Sequence, residues 1–204
     1  MKKFFIPALS LILFGCHQGP SAADYVKEGN KGLIHSIPYT KAFIAYNKAI
    51  ELKPDDTIAY ANRGRLEIKM HNFFGALSDF QTVLKMDPKM TMVYYFMGVA
   101  RVQVGDQGGA QKAFTLAIAS NAKDADAFIG RAFVRQILRD DTGAMNDFSQ
   151  AIALKPDSFP DAYHYRGLLK IKLNDKTGAC DDLHHAYKLK PDSIILHDIK
   201  INCL

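Results

Sequence analysis

Much of what would mark an enzyme or a membrane-spanning protein is missing from these 204 residues. There is no HExxH, no glycine-rich phosphate loop, no CxxC and no GxSxG, so the usual arrangements for metal hydrolysis, nucleotide binding, dithiol exchange and acyl transfer are absent. The longest apolar run is the 12 residues from Phe4 to Gly15, interrupted by Pro7 and Ser10; a bilayer needs ~20. Charge of one sign is scarce too: the formal net charge is +5, with acidic and basic residues interspersed. That reads as a solvated outer face rather than a phosphate-binding stripe, and argues against nucleic acid as a partner. Three pairs remain as candidates for chemistry. His184 and His185 are adjacent, so on a helix they point about 100° apart and cannot readily face one metal. Asp140-Asp141 and Asp181-Asp182 are expected at helix starts, where carboxylates favour the helix dipole. The sequence therefore predicts no catalytic residue, no metal site, no cofactor and no small-molecule substrate.

What the chain does contain is a period. Ala42, Ala76, Ala110, Ala144 and Ala179 recur at intervals of 34, 34, 34 and 35 residues. Each is followed at i+4 by Tyr46, Phe80, Phe114, Phe148 or Leu183, and at i+7 by Ala49, Val83, Ala117, Ala151 or Ala186. This spacing lies on one face of a helix, which is the buried one. A preceding helix carries Gly29, Gly64, Gly98, Ala132 or Gly167, where a small residue lets its neighbour approach. Pro54, Pro88, Pro156 and Pro191 close their copies, while the third copy has Ala122 there. The period predicts an all-α chain, an α-solenoid of five helix-turn-helix repeats over about 22–56, 57–90, 91–124, 125–159 and 160–192. The helix pairs are expected at 22–36 with 39–52, 57–70 with 73–86, 91–104 with 107–120, 125–138 with 141–154, and 160–173 with 176–189. In the first copy Pro38 falls in a turn one residue longer than the others. The fifth copy takes its extra residue in Asp157-Ser158-Phe159-Pro160. Residues 193–204, with Ile194, Ile195, Ile199 and Ile201, are expected to form a capping helix over the last pair.

Small, aromatic, alanine and proline positions in this register resemble tetratricopeptide (TPR) repeats, and the resemblance covers about residues 22–192. It implies that the first helix of each unit lines a concave groove. Carried over residue by residue, the groove holds Asn30, Asn62, Arg65, Lys69, Tyr95, Phe96, Val99, Gln103, Ile129, Phe133, Gln136, His164, Tyr165, Leu168 and Lys172. Its centre is aromatic and aliphatic and its edges are polar, which suits an extended or helical peptide with apolar anchors. About a third of these residues are expected to be taken up in packing between units. Some TPR domains grip a C-terminal carboxylate. Asn30 and Asn62 match that clamp, but Val26, Met92 and Phe96 stand where cations are wanted, so the resemblance does not extend to carboxylate binding.

The N-terminus points to an address. Met1-Lys2-Lys3, the short apolar run and a small residue at its end have the form of a secretory signal peptide over 1–15. Leu13-Phe14-Gly15-Cys16 resembles the bacterial lipobox, which implies lipidation at Cys16 and a short tether over 16–21. The other reading is an ordinary cleaved signal with an incidental cysteine. His17, rather than Asp, implies the outer membrane, facing the periplasm. Removing 1–15 leaves 189 residues and lowers the formal charge from +5 to +3. Cys180 and Cys203 then form an even pair in an oxidising compartment, either disulfide-bonded so as to pin the capping helix or left as two buried thiols. Together these features resemble, in architecture, TPR lipoproteins that assist pilus secretin assembly or hold peptidoglycan hydrolases. The function implied is a non-enzymatic adaptor or scaffold for envelope proteins or peptides, held to the membrane by lipid. The alternative is a structural subunit of a larger envelope assembly that uses its convex face and ends.

Overall fold

A computed structural model describes residues 19–203. The signal peptide over 1–15, Cys16 and the first residues of the tether lie outside them, as does Leu204. Among the described residues there are eleven helices and no strand. They are α1 (Ala22–Leu33), α2 (Tyr39–Leu52), α3 (Thr57–Lys69), α4 (Phe73–Met86), α5 (Val93–Gln103), α6 (Gln107–Ser120), α7 (Ala125–Ile137), α8 (Asp141–Leu154), α9 (Pro160–Lys172), α10 (Lys176–Leu189) and α11 (Ser193–Asn202). Consecutive helices pair into five antiparallel units, as the period requires. Each second helix also packs on the first helix of the next unit. The first helices touch one another as well, α1 with α3, α3 with α5 and α5 with α7. They share one face, and we call them inner and their partners outer.

The recurrent residues explain why each unit closes. Tyr46, Phe80, Phe114, Phe148 and Leu183 are almost completely buried, and each such side chain contributes about 1.5–3 kcal/mol by leaving water. In units one to three the ring lies flat against a glycine of the inner helix. A Cβ on Gly64 would come within 2.7 Å of the Phe80 ring, and one on Gly98 within 2.6 Å of the Phe114 ring. No real Cβ approaches so closely, so the helix separation there depends on glycine.

Two further regularities set the helix ends. Asn72, Asp106, Asp140 and Asp175 are the N-caps of the outer helices, each accepting a hydrogen bond from the amide of the glycine three residues on, Gly75, Gly109, Gly143 and Gly178. Each inner helix of units two to five ends on a left-handed residue: His71, Gly105, Arg139 and Asn174, with φ of 59°, 82°, 64° and 63°. Unit one has no side-chain cap on α2, where Pro38 stands. Its longer turn is made with His35 at φ 58°, which ends α1 at Leu33 instead of the expected 36. α5 likewise starts at Val93, not 91. Thr91 and Met90 are held in a turn, and Met92 is the N-cap of α5, with no side-chain hydrogen bond.

α11 buries Ile195 and Ile199 against the end of the stack, leaving Ile194 and Ile201 exposed. It occupies the place of a sixth inner helix. Cys180, on α10, is bridged to Cys203, just after α11, with 5.6 Å between the Cα atoms.

Candidate functional site

The inner helices carry two runs of interacting side chains, one from α1 to α5 and one from α7 to α11. Asn30 on α1 accepts hydrogen bonds from Asn62 Nδ2 of α3 (3.0 Å) and from the Tyr46 hydroxyl (2.7 Å). Burial pushes that hydroxyl's pKa up. Arg65 donates to Asn62 and lies 5.0 Å from the Phe96 ring centre on α5. Phe96 stacks on the buried Phe80, and Tyr95 meets Phe96 edge to face at 5.2 Å. On α7, Phe133 contacts Phe148 below it and Tyr165 of α9 beside it, at 5.3 and 5.0 Å. His164 closes the series with a 2.6 Å contact to Asp198 of α11. Phe96, Phe133 and Tyr165 thus each rest on a buried ring, Phe80 or Phe148, which sets their rotamers.

The fifteen expected groove residues all lie on inner helices, and apart from His164 they fall in two classes. Asn30, Lys69, Gln103, Tyr165 and Lys172 are exposed, and Asn62, Arg65, Tyr95, Phe96, Val99, Ile129, Phe133, Gln136 and Leu168 are half-buried. Phe96, Val99, Ile129 and Phe133 also pack against the core clusters. His164 is a correction. It is buried against α11 and paired with Asp198, and it reaches the surface only at a small cavity shared with Asp161, Tyr165 and Ile194. Lys172 is engaged with Asp141 of the preceding unit. The register also shows a gap. Gly130 stands in unit four where Phe96 and Tyr165 stand in units three and five, and a Cβ there would lie 2.5 Å from the Phe114 ring. The floor is therefore notched between two aromatics.

Beside Tyr95 and Phe96 the face deepens into a cavity of ≈ 300 Å³, lined by Thr91, Met92, Ala117, Ser120, Asn121, Asp124 and Asp126. Burial, with the Asp126 and Asp124 carboxylates nearby, raises the Tyr95 hydroxyl above its ordinary pKa. The hydroxyl stays protonated there and remains a hydrogen-bond donor.

The opposite side holds a ladder that the sequence reading passed over. Arg63 donates through Nε and Nη2 to both oxygens of Asp79 (2.8 and 2.7 Å), Arg131 to Asp147 (2.9 and 2.8 Å) and Arg166 to Asp182 (2.8 and 2.7 Å). The third nitrogen of each reaches back to the preceding outer helix, to Asn47, Thr115 and Ser149. Each arginine thereby joins its own unit to the one before. Asp181-Asp182 accordingly does not mark a helix start: both lie inside α10, and Asp182 is buried against Arg166 and Lys170. Unit three has Met97 and Ala113 in the same places, both buried. The signal was present in the sequence as Arg and Asp 16 residues apart, repeating with the alanines.

This arrangement of 34-residue helical hairpins, with a glycine under an aromatic ring and an alanine beside it, decides the fold. The chain is a tetratricopeptide-repeat solenoid. No protein-family model matches it. A TPR and J domain-containing co-chaperone of Cryptococcus neoformans var. grubii, DNJ1, is 31% identical over 118 residues, 54% of this chain and 22% of the co-chaperone. Human TPR protein 28 is 27% identical over 119 residues, 57% of this chain and 5% of that protein. The chain thus spans less than a quarter of either relative. Among solved structures, MamA superposes with a TM-score of 0.73 at 21% identity, over 85% of this chain and 93% of its own. YrrB, described as "a TPR protein with an unusual peptide-binding site", superposes with a TM-score of 0.71 at 20% identity, over 88% and 92%. At that identity both show the TPR fold.

Among the described residues no group of three His, Cys, Asp or Glu is placed to hold a metal. His184 is exposed and bonded to the Cys180 carbonyl, while His185 turns the other way to stack on Tyr163 at 4.2 Å. What the TPR inner face offers is an aromatic floor with polar edges.

Proposed function

We propose that this chain is a non-enzymatic adaptor, lipid-anchored at Cys16 in the bacterial outer membrane and facing the periplasm. Its inner TPR face would recruit an envelope protein through a peptide segment. The observation that carries this reading is the strip of pre-set aromatic side chains, Phe96, Tyr95, Phe133 and Tyr165, open on the inner face of three successive units. Aromatic anchors of this kind supply large contact area at small entropic cost, and a solenoid supplies the length to read an extended or helical segment. The polar edge of Asn30, Asn62, Lys69, Gln103 and Gln136 can meet backbone groups of the segment. The lipobox-like Leu13-Phe14-Gly15-Cys16 supports the anchor, since acyl chains each contribute ~0.8 kcal/mol per buried CH2.

The test is site-specific photo-crosslinking in cells with a reactive residue at Tyr95 or Phe133, and at Lys112 on the outer side as control, followed by mass spectrometry. One dominant envelope protein captured from the inner positions, and lost in the Tyr95→Ala/Phe133→Ala background, is the expected result. Adducts confined to Lys112, or spread over many subunits of one complex, would replace the adaptor by a structural subunit. The anchor is tested separately by Cys16→Ala, which should move the protein from the membrane to the soluble fraction.

A further inference from the structure

On the outer side, between α2 and α4, lies an open cleft of ≈ 410 Å³ that the inner-face reading does not use. Phe43 and Ile50 form its apolar wall, Asn47, Glu51 and Ser78 its rim, and Arg63, Glu67 and Asp79 its floor. Glu67 is the anomaly. The same position in units three, four and five is Arg101, Arg135 and Lys170. In unit four Arg135 Nη1 sits 2.8 Å from Asp147 Oδ2 and 3.1 Å from the Gly143 carbonyl. In unit five Lys170 Nζ sits 2.8 Å from Asp182 Oδ2 and 3.2 Å from the Gly178 carbonyl. A cation thus occupies one corner of these sites, beside the aspartate that the unit's first arginine already holds.

Unit two has the aspartate and the arginine but no second cation. It has a carboxyl group instead, 5% exposed. Glu67 Oε1 accepts a hydrogen bond from Asn72 Nδ2 at 3.0 Å, while Oε2 is buried without a hydrogen-bond partner. Burial first, and then the Asp79 carboxylate, raises the Glu67 pKa to about 7, against the opposing pull of Arg63 and Asn72. Glu51 on α2 adds a third acidic group at the rim. Two carboxyl groups therefore face one guanidinium, and at low pH a proton stands in for the missing positive charge.

We propose that this cleft receives the ammonium or guanidinium head of a lysine or arginine side chain from a partner protein, seated against Asp79 and Glu67 with its stem along Phe43 and Ile50. The head brings to Asp79 the second positive charge that Arg135 and Lys170 supply in their own units. Charge complementarity selects it: with Glu67 ionised the floor carries one surplus negative charge, and a buried carboxylate without a partner is costly. Phe43, whose ring already lies 5.8 Å from the Arg63 guanidinium, presents an aromatic wall to a second cation. Binding releases the Glu67 proton to solvent, so protons compete with the side chain.

The test is a titration of the isotopically labelled chain with N-acetyl-arginine amide, and with N-acetyl-glutamine amide as the neutral control. It follows the Gly75 and Ser78 amide resonances and the Glu67 carboxyl carbon. Saturable shifts at these positions are expected with the arginine compound alone, together with movement of the Glu67 carbon towards its ionised value. Affinity should rise about tenfold from pH 6 to pH 8 as the competing proton leaves. Glu67→Arg should fill the corner from within and abolish the shifts while keeping its melting temperature. Glu67→Gln should weaken them without abolishing the fold. An absence of saturable shifts in the natural chain, or shifts undiminished in Glu67→Arg, would overturn the proposal. Equal shifts with the glutamine compound, or with magnesium chloride, would also overturn it, the last by making the occupant a free cation.

Discussion

Asp147 gives the sharpest test of how the units are joined. Its carboxylate is 2% exposed and accepts three hydrogen bonds, from Arg131 Nε and Nη2 at 2.9 and 2.8 Å and from Arg135 Nη1 at 2.8 Å. Asp147→Ala strands a partly buried guanidinium with no counter-charge and should cost about 3–5 kcal/mol. Unit three shows how the same site can be built without charge, because Met97 and Ala113 occupy the equivalent places. The double variant Arg131→Met/Asp147→Ala copies that solution. It leaves Arg135 with Asp140 at 3.4 Å and the Gly143 carbonyl at 3.1 Å, much as Arg101 rests on Asp106 at 3.6 Å. It should fall within about 1 kcal/mol of the natural chain, since replacing a whole buried pair by apolar residues is often neutral. The two substitutions should therefore couple by about 2 kcal/mol or more. Urea unfolding followed by circular dichroism reads this directly, with the slope checked in each variant because long repeat arrays depart from two-state behaviour. A double variant as unstable as Asp147→Ala alone would refute the reasoning, for the loss would then come from packing and not from an orphaned charge.

Three further outcomes are expected. His71→Gly and Arg139→Gly, at φ of 59° and 64°, should each raise stability by about 0.5–1 kcal/mol by relieving left-handed strain, read as a higher melting temperature; a fall would show that the side chains matter more than the backbone. Cys203→Ser opens a loop of 23 residues and should cost about 3 kcal/mol by the chain-entropy estimate, with α11 amides exchanging faster than those of α9; unchanged exchange in α11 would show that its packing suffices without the bridge. For Glu67 the folded pKa, about 7, lies above the ordinary carboxyl value of 4.5. Its contribution to stability is therefore fully present below that ordinary value and is lost as the pH rises through 7. Glu67→Gln should flatten the stability profile between pH 5 and pH 8, and an unaltered profile would remove Glu67 from the account.

The solenoid was legible because its anchors are apolar and periodic. Ala76, Phe80 and Val83 repeat at helical spacing, and burial of such residues leaves few other folds open. The charged ladder was missed because Arg63, Arg131 and Arg166 look, by composition, like a solvated face. Only their constant distance from Asp79, Asp147 and Asp182 marks them as internal, and unit three interrupts the series. His164 was misplaced for a different reason. Its partner Asp198 belongs to α11, which lies beyond the five copies, so the period predicted a capping helix there without showing that His164 is the residue it covers. Gly130 escaped notice because a missing side chain leaves no hydrophobic mark, although its neighbour Phe114 requires the space.

The gap in the arginine ladder has a mechanical meaning. Arg63, Arg131 and Arg166 each tie an inner helix to the outer helix before it, but Met97 makes no such tie to α4. The joint between units two and three is closed by Phe80, Val83, Val93 and Met97 with the Phe96 ring, and so by exclusion of water, with the Arg65 guanidinium over Phe96 in place of a hydrogen-bonded tie. Such a seam has no preferred donor geometry to defend, and its cohesion weakens on cooling. Bending of the superhelix should concentrate there, where Arg65 reaches across to Phe96. The curvature presented to a ligand would then be set at one soft seam between two stiffer arms.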